Sequence, residues 1–178
     1  VMGVIITFSP EFGKAIGVAA PVDAGKAVLF AFMGQVAGNI VSGSLSQYLN
    51  NRKKVVFLFM LFSAAFVLVF FLIPPPSISV LYMLCACLGF SCGYWTLFIT
   101  IAAELFGSNL RATVATTVPN FVRATVIPLT ALFTFLKNYT SSISSILIVA
   151  ASTYLLAGFA LVFLEETFKK DMNYIEEE

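Results

Sequence analysis

An all-α membrane protein is the fold class this sequence predicts, and three observations predict it. Only 11% of the 178 residues are charged, whereas soluble domains carry about 25%. Mean hydropathy is +0.97. Five apolar runs, residues 27–47, 55–73, 78–103, 112–136 and 146–164, are long enough to cross a bilayer as helices, which takes about 20 residues each.

The same composition excludes several function classes. A net charge of +1 with no basic stripe gives no nucleic-acid surface. There are no histidines, which removes histidine proton relays and His-based metal sites. Cys85, Cys87 and Cys92 all fall in one apolar run and read as small packing residues. No metal or cofactor is expected. The sequence also offers no paired intramembrane acids and no nucleophile–base pair, so an enzyme is not expected.

Residues 1–8 are too short to span and have neither a basic n-region nor a cleavage pattern. They read as the stub of a helix cut by the start of the sequence. The alternative is one imperfect span, Val1–Ala20, tolerating Pro10, Glu11 and Lys14. Residues 9–26 are a polar connector punctuated by Pro10, Pro21, Asp23 and Lys26.

The first full span, 27–47, places Ala31, Gly34, Gln35, Gly38, Asn39, Ser42, Gly43 and Ser46 on one helix face. Gly34 and Gly38 form a GxxxG pair that permits close backbone approach to a neighbour. After the basic loop Asn50–Lys54, span 55–73 is apolar all round and is expected to face lipid. The triple proline Pro74–Pro76 stops it.

Span 78–103 carries Tyr82, Cys85, Gly89, Cys92, Gly93, Thr96 and Thr100 on one face. Trp95 sits too deep for an interfacial belt, so it packs against another helix or flanks a cavity. In span 112–136, Thr113, Thr116, Thr117, Asn120, Arg123, Thr130 and Thr134 fall within an arc of roughly 140°. Pro119 and Pro128 should bend that helix or free carbonyls near Arg123. The Asn138-Tyr139-Thr140 sequon is read as a chance match. Span 146–164 is again largely apolar, and the charged tail, 165–178, lies at or beyond the membrane surface.

Counting about 1.5 Å per residue from the span ends, Asn39, Cys92–Gly93 and Asn120–Arg123 reach one depth near mid-membrane. A polar constellation there predicts a solvated site. Gln35, Asn39, Thr116, Asn120 and Arg123 are the candidate ligands for a small polar or anionic molecule. The guanidinium stays protonated and needs a partner. The substrate, a carboxylate outside this sequence, or carbonyls freed near Pro119 could each provide it. Basic residues favour the side holding Arg52, Lys53, Lys54, Arg111, Lys169 and Lys170 as cytoplasmic, which puts the C-terminus inside.

Three stretches carry a resemblance. Glu104-Leu105-Phe106 followed by Arg111 resembles the E-x-F-x-x-x-x-R turn of major facilitator superfamily transporters, in the sugar-porter and organic-ion branches. Glu165-Glu166-Thr167-Phe168-Lys169 is similar to their P-E-T-x-G ending. Gly43–Lys54 is similar to their G-x-x-x-D-R-x-G-R-R loop, with Gln47, Tyr48 and Asn50 in place of the acid, the first arginine and the glycine. The resemblance implies a major-facilitator-type helical bundle. The chain would be its C-terminal half, helices seven (truncated) to twelve, with 55–73 and 146–164 peripheral. Such folds place the substrate site between two six-helix halves.

The resemblance further implies a secondary transporter, a symporter or facilitator, in the cell (inner) membrane. Its partners would be the lipid bilayer, the missing N-terminal half, a small-molecule substrate and a coupling ion. Any proton-coupling acid would belong to the missing half. Glu104 and Arg111 would form a charge pair at the cytoplasmic gate. The tryptophan spacing departs from the sugar porters, so a sugar-binding tryptophan is not carried over. The competing reading is a non-transporting membrane scaffold or sensor on the same fold.

Overall fold

Helices account for all the regular structure in the described residues. They are α1 (Met2–Thr7), α2 (Ser9–Ala15), α3 (Ala24–Leu49), α4 (Arg52–Leu72), α5 (Ile78–Ser91), α6 (Trp95–Leu105), α7 (Arg111–Ala124), α8 (Val126–Lys137) and α9 (Ser142–Phe163). This computed structural model describes residues 1–18, 21–72 and 77–168. The triple proline and the tail beyond Phe168 lie outside them. Five stretches are long and apolar enough to cross a membrane: α3, α4, α5–α6 together, α7–α8 together, and α9.

Local chemistry sets the helix ends. Asp23 caps α3, its carboxylate accepting from the amides of Gly25 at 2.8 Å and Lys26 at 3.4 Å. Asn50 closes the same helix in the left-handed region at φ 50°, a conformation asparagine tolerates better than most residues. Asn51 then accepts from the Lys54 amide at 2.7 Å to start α4. Ser77 and Ser141 cap α5 and α9 in the same way.

Two spans are interrupted. α5 ends at Ser91 and α6 restarts at Trp95. At the break, Gly93 lies against the backbone of Gly38 and Asn39. Its carbonyl accepts from the Ser42 hydroxyl at 2.5 Å. The α7–α8 break falls at Thr125. Pro128 lacks the amide that would bond to Ala124 and its ring crowds that carbonyl. Pro119, by contrast, is accommodated inside α7 and buried.

The N-terminal stretch corrects an expectation. Residues 9–15 are not an irregular connector. They form α2, with Pro10 in its first turn, where the missing amide costs nothing. Phe12 is fully buried and its ring meets those of Phe71 and Phe133 at 5.1 and 5.6 Å. Val4 and Ile5 of α1 join the same core. These residues are apolar because they pack between α3, α5, α8 and α9.

The tightest helix pair is α3 with α5. A methyl group added at Gly34 or Gly38 would run into the backbone of Ala86 or Phe90, and one at Gly89 into that of Ala31. Glycines on both helices therefore let the two backbones touch. The apolar helices α4 and α9 each bury one face and leave the other bare. Val55, Phe59, Val67 and Phe70 point inward while Phe57, Leu61, Leu68 and Leu72 point out. On α9 the same division separates Ile146 and Val149 from Leu155, Leu156 and Phe159. Yet they are not the barest spans. The buried share is 39% for α4 and 22% for α9, against 17% for α3 and 11% for α7–α8. Of the spans with polar stripes, α3 and α7–α8 are thus the ones this chain covers least, while α5–α6 is covered as much as α4.

Candidate functional site

A cavity of about 550 Å³ opens between α1, α3, α6 and α7. Gln35 and Asn39 reach it from α3, one turn apart. Arg123 reaches it from the end of α7 and Trp95 from the start of α6. The rest of the wall is mostly apolar and includes Ile6, Phe32 and Val36. No acidic side chain lines it. Three of the five sequence-predicted ligands therefore share one wall.

Arg123 is held from two directions. One guanidinium nitrogen donates to Asn120 Oδ1 at 3.1 Å, and the guanidinium carbon lies 5.7 Å from the centre of the Trp95 ring. Asn120 is itself fixed, its amide nitrogen donating to the Thr116 carbonyl at 3.1 Å. Thr116 donates its hydroxyl to Ala112 and Thr113 carbonyls of its own helix. Thr116 and Asn120 therefore stand outside the cavity wall. Asn120 sets the direction of the guanidinium, and Thr116 sets Asn120. Among the described residues Arg123 has no carboxylate partner. The cation is in place and none of the described residues supplies its anion.

Asn39 adds a second feature. Its Oδ1 is shut away from solvent with no hydrogen-bond partner among the described residues. Leaving such an acceptor unpaired costs about 1–3 kcal/mol.

The helix ends near Glu104 form a separate cluster. Glu104, at the end of α6, is 7% exposed and accepts from Arg52 at 2.5 Å. Arg52 is the partner that local spacing did not point to, since it lies 52 positions away. Arg111 donates its Nε to the Ala103 carbonyl at 3.0 Å, beside Glu104 in the chain. The Glu166 carboxylate accepts from the backbone amides of Arg52 and Lys53, both at 3.0 Å. It thereby caps α4 from a remote segment. In return, Lys53 Nζ donates to the Val162 and Leu164 carbonyls at 2.9 Å, closing α9. The Phe168 ring lies 5.5 Å from the Arg52 guanidinium carbon.

Burial raises the Glu166 carboxyl, but amide donors from Arg52, Phe168, Lys53 and Thr167 outweigh it and leave it below its usual value. At the other end of the bundle Glu11 pairs with Lys137 and accepts from Ser142 at 3.2 Å. The Lys137 hydrogen bond holds Glu11 below the usual carboxylate value.

Sequence depth pointed to the cavity residues, including Trp95, because charge or ring size at mid-span is conspicuous. Arg52 and Glu166 were not singled out as candidates. Both sit at helix ends, where charged residues are common. No protein-family model, curated protein or solved structure matches this chain.

Proposed function

We propose that this chain is the C-terminal six-helix half of a major-facilitator-type transporter that moves a small polar or anionic metabolite by alternating access. The observation that carries the reading is the cavity at which Arg123, Gln35, Asn39 and Trp95 converge. An ionisable side chain within a membrane-spanning segment marks a substrate or ion pathway by default. Here it has an oriented geometry and no carboxylate partner among the described residues.

The bareness of α7 supports the same reading. Lipid is a poor solvent for a face carrying Thr117, Asn120 and Arg123, so a second half or a water-filled path should lie against it. Glu104 and Arg111 would serve the cytoplasmic gate in this scheme, with Arg52 sharing the load on Glu104.

The test needs no known substrate. In cysteine-free full-length protein bearing V36C, an impermeant maleimide is applied from each side of sealed vesicles. Alternating access predicts that E104A lowers labelling from one side and raises it from the other. Labelling from one side only, unchanged by E104A, would favour the scaffold or sensor.

A further inference from the structure

We propose that a second copy of this chain packs on the bare side of α7–α8, standing where the N-terminal half would and closing the cavity across a twofold axis. The inference rests on the reading of the chain as half of a transporter, and names what completes it.

The bare side of α7–α8 is built as a helix seam. Thr117, Asn120, Ala124, Ile127, Ala131 and Thr134 are all exposed and follow one another at alternating steps of three and four, the spacing of a helix–helix contact. The bare faces of α4 and α9 are made instead of Leu61, Leu68, Leu155 and Phe159, bulky side chains that lipid solvates well. Small and hydroxyl side chains let another membrane helix come close, at a left-handed crossing of about 20°.

The chain carries the complement of this seam. α3 leaves Leu29, Met33, Val36 and Ile40 bare, each more than half exposed, at the same alternating spacing. α3 is the first span and α7–α8 the fourth, so they cross the membrane in opposite directions. With their midpoints level, Leu29 meets Ala131, Met33 meets Ile127, Val36 meets Ala124 and Ile40 meets Asn120. Large side chains thus face smaller ones in three of these layers, knobs against holes. The same alignment brings the exposed Asp23 level with the exposed Lys137, an opposite charge. It also sets the carbonyl end of α3 beside the amide end of α7, where the helix dipoles attract.

Both stripes are bare in one copy, so the pairing joins two. A twofold axis makes the contact twice, each α3 lying on the other copy's α7–α8. Arg123 lies about a quarter turn from the seam, on the cavity wall, so like charges do not meet in the contact.

The experiment co-expresses two differently tagged copies of the 178-residue chain, each with Cys85, Cys87 and Cys92 replaced by alanine. One bears L29C and the other A131C, and copper phenanthroline is expected to link them in the membrane. L29C with T117C, about 21 Å out of register, should not link, nor should L156C with itself on the lipid face. In detergent, A131L should weaken the dimer by about tenfold, because overpacking a close contact is costly. Adding L29A should restore most of that loss, since the smaller knob fits the filled hole.

Preferred linking of A131C to A131C would overturn the antiparallel register. Equal loss from A131L with and without L29A overturns the size complementarity. A chain that stays monomeric and unlinked overturns the second copy and leaves the seam to the N-terminal half. The maleimide experiment reads sidedness and not association, so its failure would remove the transport reading, whereas failure here removes only the second copy.

Discussion

At the scale of single residues, position along a span drew attention to the residues that line the cavity, whereas the Arg52 partner of Glu104 needed the fold. Arg123 and Asn39 were conspicuous because polar groups at mid-span are expensive, and both line the cavity. Glu104 was equally conspicuous, but Arg111 is only seven positions away, and proximity in the chain suggested that pair. The salt bridge to Arg52 joins helices that no local pattern connects. Glu166 is the residue whose role needed the fold most, since its acceptors meet amides on α4. Its folded-state pKa is lowered, so its contribution to stability is present above the unfolded value. That contribution is lost as pH falls through the lower folded value. E166Q should therefore destabilise the protein at neutral pH by about 1 kcal/mol, the usual worth of a helix cap. The gap in melting temperature between native and variant protein should close as pH drops below about 4.5, the ordinary glutamate value. A gap that persists unchanged at acid pH would mean the carboxylate charge is not what caps α4.

At the scale of elements, the five spans were legible because length and apolarity are properties of the chain alone. Their interruptions were only partly so. Pro128 accounts for the break at Thr125, whereas Pro119 sits within α7 without ending it. A proline marks where one hydrogen bond is lost, and packing decides whether the helix gives way. α2 was misread because Pro10, Glu11 and Lys14 look like a loop. Their polar faces are outward or paired while Phe12 is buried. The GxxxG pair of α3 was legible as a contact surface. Its partner, with Gly89 and Gly93 returning the same close approach, was not. The contact predicts a contrast between two glycines. G89A would drive its methyl into the Ala31 backbone, which cannot move aside as a side chain can, and should cost about 1–3 kcal/mol. G43A has open space and should be neutral or stabilise by up to about 1 kcal/mol through helix propensity. Thermal denaturation in detergent ranks the two. Equal effects would show that backbone contact is not what sets the α3–α5 spacing.

At the scale of the whole molecule, hydrophobicity foretold the five spans but not which of them would be barest. α4 and α9 were expected to lie outside, and each does present one bare apolar face. α3 and α7–α8 are barer still: α3 packs its small and polar face on α5 and leaves Leu29, Phe32, Met33, Val36 and Ile40 bare, whereas α7 leaves Thr117, Asn120 and Arg123 bare. A cluster at the Glu104 end ties α4 and the end of α9 to the rest. There α4, α6 and the segment after α9 converge on Arg52 and Lys53. The Arg52–Glu104 pair has side chains only 17% and 9% exposed, so solvent screens it poorly. Arg52 Nε and Glu104 Oε2 have no hydrogen-bond partners among the described residues. The pair is thus incompletely satisfied, and its removal as a unit should cost little even though breaking it costs much. R52M leaves a buried carboxylate without that cation and should destabilise by about 3 kcal/mol, the low end for a fully buried pair. E104Q should destabilise less, because the guanidinium keeps an amide oxygen to donate to and the Phe168 ring beside it. The double variant should be less damaged than the sum of the two, with a coupling of about 1–3 kcal/mol. A double-mutant cycle on denaturation free energies measures that coupling directly. Additive losses would mean that Arg52 and Glu104 act independently, and that the capping by Glu166 and Lys53 alone holds this end together.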